Sequence, residues 1–119
     1  MNWYKKSQQT IRLWVDDERN PKDPIIQQKF GSKGDEVWVT TAQEAINLLS
    51  QGNVAFISFD HDLGSVKKGN EGYAIAKFIE EKAYFKEIQP PAWTIHSQNP
   101  VGAKNIADAM KKAEEYWNN

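Results

Sequence analysis

Three short apolar runs in this sequence stop abruptly at polar clusters, and that repeated interruption limits what the chain can fold into. Ile11-Arg12-Leu13-Trp14-Val15 gives way to Asp16-Asp17, Val54-Ala55-Phe56-Ile57-Ser58-Phe59 to Asp60-His61-Asp62, and Ala92-Trp93-Thr94-Ile95 to His96-Ser97-Gln98-Asn99. Apolar runs this short suit strands covered on both faces. Val37-Trp38-Val39-Thr40 reads as a further strand. Helical segments lie between the runs. Asp23-Pro24 opens about two turns reaching Phe30, and no long regular helix fits there. Thr41 caps a second helix, with Glu44 completing a capping box, Ala42, Ala45, Ile46 and Leu49 facing inward, and Gly52 ending it. A third covers about Tyr73 to Ala83 with Ile75, Phe78 and Ile79 inward. The last runs from Asn99-Pro100 to about Trp117 on a stripe of Ala103, Ile106, Ala107, Met110, Ala113 and Trp117. Strands alternating with helices predict right-handed crossovers. The expected fold is α/β: a small, doubly wound three-layer sandwich on a parallel four-stranded sheet of order 2-1-3-4, with no fifth strand encoded after the last helix.

With 119 residues there is room for one compact domain, taken as residues 11–119 behind a polar leading segment, 1–10, that carries Lys5 and Lys6. A chain of this length buries about two-thirds of its unfolded surface, so it needs neither metal nor disulfide to fold. A metal site in it is therefore functional rather than structural. The absence of cysteine excludes disulfides, thiol nucleophiles and iron–sulfur clusters. No apolar run approaches the ~18 residues of a membrane span, so a soluble, cytoplasmic protein is expected. Fifteen Lys and Arg against sixteen Asp and Glu argue against coating DNA or RNA by bulk charge, but leave a nucleotide or a small piece of RNA open. The five tryptophans read as core and surface-covering bulk rather than as a binding platform.

In a parallel sheet all strands end on one edge, and ligands bind there near the point where strand order reverses. Asp16-Asp17, Asp60-His61-Asp62 and His96-Ser97-Gln98-Asn99 all fall on that edge, together with both histidines of the chain. Carboxylates converging within a few ångströms repel one another and stay partly protonated unless a cation joins them. Oxygen-only donors such as Asp16, Asp17, Asp60 and Asp62 suit Mg²⁺, Mn²⁺ or Ca²⁺. Mg²⁺ keeps waters and recruits phosphate oxygens, which turns an acidic pocket into a phosphate site. Asn99-Pro100 opens the last helix, whose free N–H groups favour an anion, with Ser97, Asn99 and Lys104 as supplements. Each feature alone has a plainer explanation. A single Asp is a strand-end turn residue, His96 a buried hydrogen-bonded strand residue, Glu71-Gly72 a turn, and Lys67-Lys68 a solvated loop. Their convergence on one edge favours one site.

The motifs together are more specific. Asp16-Asp17 with Asp60 resembles the acidic pocket of response-regulator receiver domains. The full set of Asp16-Asp17-Glu18-Arg19-Asn20-Pro21, Ser58-Phe59-Asp60-His61-Asp62-Leu63-Gly64, Glu71-Gly72-Tyr73 and His96-Ser97-Gln98-Asn99-Pro100-Val101-Gly102 closely resembles the cyclic-phosphate processing receiver family, from Ile11 onward. The resemblance implies a receiver-like, flavodoxin-like fold. It also implies action on cyclic phosphates such as RNA 2′,3′-cyclic ends, in small proteins of bacteria and their phages. By that resemblance Asp16, Asp17 and Asp60 hold a divalent ion, Mg²⁺ or Mn²⁺, and His61 and His96 lie beside the phosphate. Arg19, Asp62, Ser97 and Asn99 are marked as family positions. A receiver phosphorylated on aspartate ends a fifth strand in a lysine, which has no seat here, so Asp60 is expected as a metal ligand rather than a phospho-acceptor.

The first expectation is thus a metal-dependent phosphoesterase that opens a cyclic phosphodiester on a phosphorylated small molecule or RNA end. His61, His96 and Asp60 would be its catalytic residues, and Arg19, Ser97, Asn99 and Lys104 its phosphate-binding ones. Histidine as a residue type titrates near pH 6.5, which suits an acid and base pair at neutral pH. The second is a non-catalytic module that binds or sequesters a phosphorylated or cyclic nucleotide. The third is a signalling receiver that docks on a protein partner.

Overall fold

The polar breaks in the sequence mark the strand ends closely. A computed structural model describes residues 9–64 and 68–119; the expectations about Lys5, Lys6 and Lys67 lie outside the described residues. The elements run β1 (Ile11–Val15), α1 (Pro24–Phe30), β2 (Val37–Val39), α2 (Ala42–Ser50), β3 (Val54–Phe59), α3 (Gly72–Tyr84), β4 (Ala92–Ile95) and α4 (Pro100–Trp117). The four strands form one parallel sheet in the order β2-β1-β3-β4, the receiver-like α/β arrangement expected from the alternation. No described helix is long and apolar enough to cross a membrane.

Period-2 alternation decides the faces. Leu13 and Val15 of β1 and Ile57 and Phe59 of β3 join the main core with Leu49 of α2, Ile75 and Ile79 of α3, and Ile106 and Met110 of α4. Trp14, outside that cluster, stacks on His96. The short helix α1 buries none of its residues and brings Phe30 to the edge of the site. The layers are therefore unequal. α4 packs chiefly on α3 rather than on the sheet. Its inward face is accordingly rotated: Gly102, Ile106, Ala109, Met110 and Ala113 are buried, and Ala103 and Ala107 only half so.

Helix starts follow the caps. Asp23 accepts from Ile25 N at 2.9 Å ahead of Pro24. Thr41 Oγ1 accepts from Glu44 N at 3.2 Å, and the returning carboxylate bonds chiefly Thr40 N, at 3.2 Å, one residue ahead of the Thr41 amide. The box closes one residue early because Glu44 Oε1 also takes the hydroxyls of Thr40 and Thr41, at 3.2 and 3.1 Å. Thr41→Ala removes one side of this box and is expected to cost about 1 kcal/mol, read as a lower Tm in thermal denaturation.

What matters most for function is register. Val15 pairs with Phe59 and Phe59 with Ile95, so β1, β3 and β4 finish level. The ladder continues one residue further, through Asp60 N to Val15 O at 2.9 Å and His96 N to Phe59 O at 2.9 Å. Asp16, Asp60 and His96 therefore stand side by side at the carboxyl edge of the sheet.

Candidate functional site

Asp16 is fully buried, and both of its carboxylate oxygens are occupied. Oδ1 accepts from Glu18 N at 2.8 Å and Arg19 N at 2.9 Å; Oδ2 accepts from Arg19 Nη1 at 3.1 Å and lies 3.0 Å from His96 Nε2. Burial by itself raises this carboxyl, but the bonds from His96, the two amides and the guanidinium outweigh it and bring the pKa from 3.8 down to about 2. With the folded value below the unfolded one, the ionised group stabilises the fold above pH 3.8 and loses that contribution as pH falls towards 2. The gain is about 2 kcal/mol at neutral pH. In EDTA, the gap in urea midpoint between the protein and Asp16→Asn is expected to be open at neutral pH and to shrink across that acid window.

The indole groups brace this corner. Trp38 Nε1 donates to Asp16 O at 2.7 Å and Trp14 Nε1 to Arg19 O at 3.0 Å, so the loop after β1 is tied to the sheet at both ends of the Asp16–Arg19 turn. Trp14 also stacks on the His96 ring, with centroids 3.9 Å apart and planes 5° from parallel. His96 Nδ1 lies 2.7 Å from Ser58 Oγ. An ionised Asp16 accepts only, so Nε2 donates to it, while Nδ1 meets the Ser58 hydroxyl on the other side of the ring. His96 is thereby held on both nitrogens.

Asp60 is buried as well, and its carboxyl is pushed up, first by burial and then by the charge of Asp16, against the opposing pull of His96, Arg19 and the His61 amide. Arg19 bridges the two acids: Nη1 is 3.1 Å from Asp16 and 3.5 Å from Asp60. Nη2 donates to Gln98 at 3.0 Å, and the guanidinium lies over the Phe30 ring at 4.4 Å. Asp17 is less buried and faces Gly64, where a Cβ would collide with its Oδ2. Gly64 has φ +73, so glycine there serves both the turn and the carboxylate.

Asp16, Asp17 and Asp60 each offer an oxygen, and the three lie within 4.8 Å of one another. Hard oxygen donors at that spread fit a small divalent cation with little contraction, and a cation there would offset the Asp16 charge that helps raise the Asp60 carboxyl. Asp16 already accepts four bonds, which leaves Asp17 and Asp60 the freer donors. Asp62 stands apart from the trio: it is exposed, 3.3 Å from Asn99 Nδ2. A cleft of about 490 Å³ opens above the acids, lined among others by Asp17, Arg19, Asp60, Asp62, Gln98 and Asn99.

The remaining predicted residues are placed unevenly. Asn99 caps α4 through Oδ1, accepting from Gly102 N at 3.0 Å, and its own amide bonds Ser97 Oγ at 3.1 Å. The helix start is therefore already capped, while Asn99 Nδ2 faces the cleft beside Asp62. Lys104 points away, exposed and paired with Asp108 at 2.8 Å. His61 packs its ring against Gly102 and borders a neighbouring cleft of about 540 Å³ with Glu71, Tyr73 and Asn105; its Nδ1 is buried without a partner among the described residues. Gln98 and Phe30, which hold Arg19, were not picked out by sequence reasoning. Gln98 sits inside the polar cluster after β4, which was the available signal; Phe30 had none.

No curated protein and no solved structure matches the chain. A family model does, that of the cyclic-phosphate processing receiver domain, over residues 11–112, which takes in every strand and every residue of the acidic cluster. With the parallel 2-1-3-4 sheet and the acids gathered at its carboxyl edge, that match settles the family: the chain belongs to the cyclic-phosphate processing receiver domains.

Proposed function

We propose that the protein is a divalent-metal-dependent phosphoesterase that opens a cyclic phosphodiester on a nucleotide or RNA end. The observation that carries this is the convergence of Asp16, Asp17 and Asp60 beneath an open cleft, in a chain of a family named for cyclic-phosphate processing. Asp17 and Asp60 would hold Mg²⁺ or Mn²⁺, with Asp16 behind them. The ion, when bound, supplies charge compensation for the phosphate.

The chain's own residues do the rest. Hydrolysis forms one bond from water oxygen to phosphorus, breaks one from phosphorus to a ring oxygen, and delivers a proton to the departing sugar oxygen. His61 is the proposed group for proton transfer, because it lines a cleft with Asp62, which also borders the acidic cleft; with Nδ1 buried, the ring would act through Nε2. His96 would act from below, holding Asp16 through Nε2 and itself fixed by Ser58 and Trp14. Arg19, already aimed over Asp60 and steadied by Gln98, would orient a phosphate oxygen, with Ser97 and Asn99 shaping the turn beside it. Lys104 takes no part in this scheme.

One observation favours a second reading, a module that binds a cyclic nucleotide without turnover: both ring nitrogens of His96 are engaged in the interior, so one of the two expected acid–base groups does not face the cleft. Phosphorus NMR of a nucleoside 2′,3′-cyclic phosphate incubated with the protein and Mg²⁺ separates the two. Replacement of the cyclic signal by a monoester supports the phosphoesterase. A cyclic signal that broadens on binding and persists supports the module.

A further inference from the structure

We propose that the cleft between the N-terminus of α2 and the described residues Leu63, Lys68, Gly69 and Asn70 receives the nucleoside that carries the cyclic phosphate. This rests on the phosphoesterase reading above and names its substrate class as a nucleotide held by base and ribose. The cleft measures about 780 Å³ and meets the acidic cleft at Asp17, which lines both. A phosphate in the acidic cleft thus has its substituents at the mouth of the larger one. The volume exceeds what a bare cyclic phosphate fills and lies in the range of small-molecule sites.

Its lining fits a flat, neutral, polar-edged group. Ile46 and Leu63 make an apolar floor. Thr40, Gln43 and Asn70 line it with neutral hydrogen-bonding groups. Asn70 is fixed there, accepting from Ala42 N at 2.9 Å, and Gln43 donates to Asn47 at 2.8 Å, which leaves its carbonyl oxygen open. Among the described residues the cation that lines it is Lys68, which makes no ion pair with them. A lysine beside an apolar floor suits a base and ribose joined to a phosphate.

The test compares a nucleoside 2′,3′-cyclic phosphate with glycerol 1,2-cyclic phosphate, which has the ring but no base. Each is measured in Mg²⁺ with the wild-type protein, Ile46→Ala and Lys68→Ala, taking KM where the compound is hydrolysed and Kd where it is not. The nucleotide is expected to engage the wild-type protein at least about ten-fold more tightly. Ile46→Ala should close most of that gap while leaving glycerol cyclic phosphate unchanged, and Lys68→Ala should narrow it. Equal affinity for the two compounds, a gap that survives both substitutions, or no binding of either compound overturns the subsite. The activity is judged apart from it. Ring opening of both compounds without a difference in KM removes the subsite and leaves the phosphoesterase standing. Tighter nucleotide binding, lost in the variants but never followed by ring opening, keeps the subsite and removes the activity.

Discussion

Asp60→Asn is expected to lower the proposed turnover at least about a hundred-fold and at the same time to raise the Tm of the metal-free protein. The two effects have opposite signs because one carboxylate serves two states. With a divalent ion bound, Asp60 would supply an anionic oxygen that Asn cannot replace. Without it, a buried carboxylate sits beside the charge of Asp16, and its raised pKa means that the ionised form disfavours the fold. For a carboxyl raised in this way the penalty is full above the folded pKa and is relieved as pH falls through that value, the reverse of Asp16. Asn keeps the shape without the charge, so the Tm gain should be largest in EDTA at neutral pH and should fade as the solution is acidified. Adding Mg²⁺ should raise the Tm of the wild-type protein and leave that of Asp60→Asn nearly unmoved. A variant with full activity, or one less stable in EDTA at neutral pH, would contradict this account of the acidic cluster.

Gly102→Ala is the second large effect, and it acts through His61. Gly102 lies buried in the first turn of α4, where Ala is favoured over Gly by about 1 kcal/mol on helix propensity alone. A Cβ there would collide with Cβ, Cγ and Cδ2 of His61. The ring cannot simply step aside, because the His61 carbonyl is tied to Gly72 N at 2.8 Å, and a Cβ on Gly72 would in turn strike the Asp60 carbonyl. Turnover is expected to fall about a hundred-fold as His61 is displaced, with about 1–3 kcal/mol lost to overpacking. In a His61→Ala background the same substitution should cost no stability and no further activity. That non-additivity, read from a double-mutant cycle in both urea midpoint and kcat, distinguishes a displaced ring from general damage to the helix. Additive losses in the cycle would show that Gly102 matters for some reason other than His61.

The positions of Asp16, Asp60 and His96 were legible because the chain itself marks where each strand stops. The change from apolar to charged residues sets the strand ends, and parallel pairing then brings those ends level. The helix starts were legible for a related reason: Asp23, Thr41 and Asn99 are side chains that cap. Contacts between remote segments were not. The cation–π seat of Arg19 on Phe30 depends on how a short helix with no buried residues lies over the sheet, and nothing periodic in Pro24–Phe30 encodes it. The clearance of Gly102 for His61 is invisible without coordinates, since glycine in a helix start reads as permissive rather than required. The tryptophans show the limit of composition. Trp14 is core bulk, as expected, yet its N–H and its stacked face also fix Arg19 and His96. Lys104 was drawn in by nearness in sequence to Asn99, but helical geometry carries it to the flank, where Asp108 one turn on pairs with it.

The central claim is that this acidic edge opens a cyclic phosphate with the help of a divalent ion, and mass measurement on a defined RNA end tests it most directly. An oligoribonucleotide ending in a 2′,3′-cyclic phosphate is incubated with the protein in Mg²⁺ or Mn²⁺, in EDTA, and with Asp60→Asn in place of the wild-type chain. The account predicts the gain of one water in the presence of metal, labelled when the reaction is run in ¹⁸O water, and no gain in EDTA or with the variant. A gain of water that persists in EDTA or survives Asp60→Asn would contradict it, and an unchanged mass with the wild-type protein and metal would leave binding without hydrolysis as the function of this site.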